Sequence, residues 1–77
     1  MDAYLHSGGQ TAFYELMVKA RKVAGLTQRE LADRLHKPQS FVAKSEGGER
    51  RIDVIEFIDL ARALRIDPRE VLSQLMH

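Results

Sequence analysis

The sequence predicts an all-α protein, a compact bundle of about five helices, and three observations carry that prediction. Thr27, Asp53 and Asp67 each stand where a helix N-cap would, with a glutamate three residues later at Glu30, Glu56 and Glu70. Apolar residues recur at helical spacing within the segments that follow. No pair of strands, internal repeat or low-complexity segment is legible anywhere in the chain.

Residues 1–10 contain Tyr4 and Leu5 but run into Ser7-Gly8-Gly9, which reads as a break. They are expected to form a flexible N-terminal arm ahead of a single domain over residues 11–77. From Ala12 to Ala24 the positions Phe13, Leu16, Met17, Ala20 and Ala24 keep helical spacing, and Gly25 supplies the stop. This helix reads as scaffold, with Lys19 and Lys22 off the apolar stripe and Arg21 on or beside it.

The stretch LTQRELADRLHKPQSFVAKSEGG, Leu26 to Gly48, reads as two short helices joined by a tight turn. Thr27 and Glu30 form a capping box stapled by Leu26 and Leu31, so a helix begins at Gln28. Leu31, Ala32 and Leu35 share one face, and the period fails at His36-Lys37-Pro38. Proline disfavours helix in the residue before it and suits the start of a new one, which places a second helix from about Gln39 to Glu46, ended by Gly47-Gly48. Val42 is its one clearly inward aliphatic residue. Gln39, Ser40, Ala43 and Lys44 form a small, polar, cationic outer face whose side chains can reach base edges in a DNA major groove.

The charged loop Glu49-Arg50-Arg51 leads to Asp53, an N-cap with Glu56 at N3 and a staple of Ile52 and Phe57. The helix from Val54 to Leu64 is expected to turn Val54, Phe57, Ile58, Ala61 and Leu64 toward the core. Asp67-Pro68-Arg69-Glu70 repeats the start signal with proline at N1, and a last helix runs to about Leu75. Its Val71, Leu72, Leu75 and Met76 exceed what one packing seam needs, which points to a partner surface.

Composition narrows the function classes. Seventy-seven residues allow one domain, burying only about 60% of its unfolded surface, with little room for a catalytic cleft. There is no cysteine, and His6, His36 and His77 lie far apart, so no metal or cofactor site is expected. No apolar run approaches the roughly 20 residues of a membrane span, and residues 1–10 lack signal-peptide character. A soluble cytoplasmic protein that is not an enzyme is expected. The net charge is only +1, but residues 28–51 hold six Lys and Arg against four Asp and Glu, whereas residues 52–77 hold three against five. The positive excess coincides with the two-helix stretch. It is modest for a nucleic-acid binder, so affinity would draw on shape, helix N-termini and two copies of the domain.

LTQRELA, then PQSFVAKSE, a glycine turn and ERR together resemble the helix-turn-helix of the XRE family, which includes the lambdoid phage repressors and Cro. The resemblance covers roughly Met17 to Leu72. It implies a lambda-repressor-like DNA-binding domain with Gln39 to Ser45 as recognition helix. It also implies that Arg21 pairs with Glu46. Four positions depart from the family pattern: His36 and Arg65 stand where glycine is usual, Ser45 where a large apolar residue is common, and Gly47 where an asparagine often contacts a phosphate. The expected function is sequence-specific binding of double-stranded DNA by a transcriptional regulator, a repressor acting as a homodimer on a pseudo-palindromic operator. Gln39, Ser40 and Lys44 would face base edges, while Gln28, Lys37, Arg50 and Arg51 would contact phosphates. The alternative is an antitoxin-type module that neutralises a toxin protein and uses the same fold on its own promoter.

Overall fold

The structure, a computed structural model, describes residues 7–76. Five helices follow in order: α1 Ser7–Val23, α2 Gln28–Leu35, α3 Gln39–Glu46, α4 Val54–Leu64 and α5 Pro68–Leu75. No strand occurs among the described residues. The fold is all-α, and α2 packs on both α3 and α4, while α1 crosses α3 and α5.

The middle of the chain forms where its caps direct. Thr27 Oγ1 accepts from the Glu30 amide at 3.0 Å while Glu30 Oε1 accepts from the Thr27 amide at 2.8 Å. Asp53 and Glu56 repeat the exchange at 2.7 and 3.1 Å. The third start signal resolves differently. Asp67 accepts from the Arg69 amide at 2.9 Å and pairs with the Arg69 guanidinium, and no return bond from Glu70 closes a box. The ψ angles give the reason: 167° at Thr27 and 173° at Asp53, but 118° at Asp67, which aims the side chain at the second amide of the helix rather than the third.

Three expectations are corrected. Helix α1 starts at Ser7, so Gly8 and Gly9 lie inside it rather than in a break. Each glycine costs a helix about 1 kcal/mol relative to alanine, too little to end one whose next turn is anchored by Phe13, Tyr14 and Met17. The remainder of the expected arm, residues 1–6 with Tyr4 and Leu5, lies outside the described residues. On α4 the buried face is Phe57, Leu60, Ala61 and Leu64, whereas Val54 is 71% exposed and Ile58 only half-buried. Val54 shares the stripe, but it opens the helix beyond the edge of the bundle, where its turn meets solvent. Ala24 is also exposed, since α1 ends at Val23.

The core joins Met17 of α1, Leu31 and Ala32 of α2, Phe41 and Val42 of α3, Phe57, Leu60 and Leu64 of α4, and Val71 of α5. Every helix thus gives residues to one core. At about 25 cal/mol per Å², that shared burial is what holds helices as short as eight residues, which would not persist alone.

Candidate nucleic-acid interface

The turn between α2 and α3 is made by His36, which takes the left-handed conformation at φ 57° and closes α2 by donating its amide to Asp33 O, while Lys37 donates to Ala32 O. Pro38, at φ −68° and ψ 153°, then starts α3 without a side-chain cap. Phe41, Val42 and Ser45 face inward, and Gln39, Ser40, Ala43 and Lys44 are exposed. Ser45 fits the core because its hydroxyl donates to Phe41 O at 2.7 Å, which leaves no unpaired polar hydrogen there.

Arg21 and Glu46 meet across α1 and the end of α3. Arg21 Nε lies 2.6 Å from Glu46 Oε2 and Nη2 lies 2.9 Å from Oε1, with the two side chains 11% and 13% exposed. Arg21 Nη1 also donates to Leu26 O at 2.8 Å, so the guanidinium ties α1, the loop and α3 together. The hydrogen bonds that Arg21 donates to Glu46 are the main reason its pKa is raised. Gln28, half-buried, joins this group: its Nε2 donates to Glu46 Oε1 at 2.9 Å and its Oε1 receives Gln39 Nε2 at 3.4 Å. The sequence-expected phosphate contact therefore starts from a side chain already bonded on both sides, one that orients Gln39.

The loop cations divide. Arg51 is exposed, with no ion pair among the described residues. Arg50 is committed: Nη1 donates to Glu56 Oε1 at 3.0 Å and to Arg51 O at 2.9 Å, and Nη2 donates to Glu56 Oε2 at 2.9 Å. Its guanidinium carbon stacks 4.6 Å from the centre of the Phe41 ring, and Lys37 Nζ lies 5.1 Å from the same ring. Tyr14 Oη donates to Arg50 O at 3.1 Å from the far side. Arg50, expected as a phosphate contact, thus already carries a bidentate partner, because a folded loop turns it back onto Glu56 at the head of α4. The Arg50 guanidinium first, then the Asp53 amide, hold the Glu56 carboxyl below the ordinary glutamate range.

Lys37, Pro38, Ser40, Phe41, Lys44 and Arg50 line a cleft of about 240 Å³ beside the outer face of α3. Three of those residues are cations and none is acidic. Sequence reasoning missed Tyr14, Phe41 and Glu56 as parts of this region. Glu56 was legible only as half of a capping box, and the stacking of two cations on Phe41 has no local sequence signal.

The helix-turn-helix family model matches residues 18–71. An XRE-family-like protein from Pseudomonas syringae pv. tomato has a solved structure that is 50% identical over 94% of this chain and 88% of that one, with a TM-score of 0.89. The restriction-modification controller protein C.AhdI from Aeromonas hydrophila is 32% identical over 80% of this chain and 94% of its own, with a TM-score of 0.74. No curated protein matches the chain. Turn geometry, the outward polar face of α3 and these likenesses agree: the chain belongs to the XRE family of helix-turn-helix proteins, a non-enzymatic family of DNA-binding transcription regulators.

Proposed function

We propose that this protein is a cytoplasmic repressor that binds a pseudo-palindromic operator as a homodimer, reading bases with Gln39, Ser40 and Lys44. The observation that carries the assignment is the outer face of α3: these three side chains are exposed, carry no apolar bulk, and two of them, Ser40 and Lys44, line a cationic cleft. Gln39 is the best-oriented of them, since Gln28 holds its amide from behind. Glutamine geometry suits a bidentate contact to adenine, and lysine reaches guanine acceptors. Lys37 and Arg51 supply phosphate contacts, with Gln28 and the uncapped start of α3 beside them. Repression follows from occupying a promoter.

The test is binding of wild type, Gln39→Ala, Lys44→Ala and Arg51→Ala to single-base variants of a selected operator at two salt concentrations. The first two substitutions are expected to cost about 1–3 kcal/mol on the best site and to flatten preference at particular base pairs. Arg51→Ala is expected to weaken all sites alike and reduce the salt slope by about one per domain. An intact ranking of sites in the first two variants, with reordering in Arg51→Ala, would reverse the roles.

A second reading, an antitoxin-type module, draws on Leu72 of α5 and Met76 just beyond its end, which are 48% and 78% exposed. It requires a toxin partner of different sequence, which would copurify with the chain.

A further inference from the structure

We infer that Glu56 limits the sequence-independent attraction of the protein for DNA, by neutralising Arg50 at the edge of the DNA-facing cleft. The inference rests on the DNA-binding reading above and adds a residue that touches neither base nor phosphate. Arg50 lines the same cleft as Lys37, Ser40 and Lys44, and its guanidinium stacks on the ring of Phe41 in the first turn of α3. It therefore stands at the groove-facing surface, with 41% of its side chain exposed. Left alone, such a cation would join Lys37 and Lys44 in drawing a phosphate.

Glu56 prevents that. Its two oxygens take both terminal nitrogens of Arg50, and Oε1 also accepts the Asp53 amide, so the carboxylate is fixed by the same capping box that starts α4. It is 16% exposed and cannot swing away without opening that helix start. The pair presents the shape of an arginine to the DNA without a net charge. Non-specific affinity comes almost wholly from cations that displace counterions, whereas specific affinity also counts base contacts. Cancelling one cation at the cleft therefore lowers binding to random DNA and to the operator by the same factor, through the counterion term the two share.

Glu56→Gln separates charge from structure, because glutamine also completes a capping box and can still accept one Arg50 hydrogen bond. Binding of the full chain to a selected operator and to random-sequence duplex is measured across 50 to 200 mM salt. On both DNAs the variant should show a salt slope steeper by about 0.9 per domain, an extra loss of about 3.5-fold per domain over that range. Its preference for operator over random DNA should be unchanged, because both gain by the same factor. Adding Arg50→Met, which keeps an apolar stem on Phe41, should cancel the increment. Thermal unfolding of each variant establishes that it is folded under the binding conditions. A folded Glu56→Gln protein with the wild-type slope overturns the inference, as does a steeper slope that survives Arg50→Met. Wild type that binds no DNA at any salt would instead remove the reading beneath it. Should Glu56→Gln fail to fold, Glu56→Asp, which keeps the charge, must hold the wild-type slope and preference; a change in either also overturns the inference.

Discussion

At the scale of single residues the structure makes two charges expensive to lose. Glu46 answers Arg21 in a bidentate pair with both side chains nearly buried, and Gln28 leans on the same carboxylate. Glu46→Ala strands the guanidinium in a poorly hydrated place, and a loss of about 3–5 kcal/mol in urea unfolding is expected. A loss below about 0.5 kcal/mol would mark the pair as an exposed one. Glu56 gives a pH signature. Its carboxyl pKa is lowered in the folded chain by Arg50 and the Asp53 amide, with Lys37 adding a smaller pull, so the stability it brings is present at neutral pH. That stability is lost as pH falls through the lowered folded value. The stability difference between wild type and Glu56→Gln should therefore shrink from pH 7 to pH 3, and a difference constant across that range would contradict the assignment. The Arg21–Glu46 pair was expected from family likeness. The bond of Arg50 to Glu56 was not, because it depends on how the loop after α3 folds back, and no helical period records that.

Helix elements were legible where their ends are written in side chains. Helices α2, α3 and α4 run over the residues their caps and breakers indicate, because N-cap oxygens and proline act locally on the neighbouring amides. The start of α1 was hidden, since Gly8-Gly9 disfavours helix locally while tertiary packing one turn later overrides it. The buried face of α4 was half legible: spacing found Phe57, Ala61 and Leu64 but could not tell where the bundle ends, so Val54 was misplaced and Leu60 overlooked. His36 and Arg65 are non-glycine residues at helix ends with φ of 57° and 59°. An L side chain there costs about 1–2 kcal/mol, partly offset by the backbone entropy that glycine loses on folding. Arg65→Gly, remote from the DNA-facing surface, should stabilise the protein by about 0.5–1 kcal/mol. In a domain of this size that raises Tm by about 2–8 °C, and a lowered Tm would show that the Arg65 side chain makes an unrecognised contribution.

On the scale of the whole molecule, one domain presents one short exposed polar helix face with few cations beside it, so the proposed repressor would need two copies for a tight site. Half-site centres should then lie about one turn of DNA apart, roughly 34–36 Å. Lengthening the operator centre by half a turn carries one half-site to the opposite side of the duplex and should abolish tight binding; unchanged affinity would exclude rigid two-fold recognition. One feature of α3 bears on what any such measurement sees. The amides of Gln39 and Ser40 follow Pro38 and find no side-chain cap, whereas that of Phe41 donates to Pro38 O at 3.0 Å. In the proposed complex a phosphate oxygen would take up those two donors. These donors are neutral and displace no ions, so their share of the affinity is a matter of hydration, felt on every sequence and silent in every salt titration.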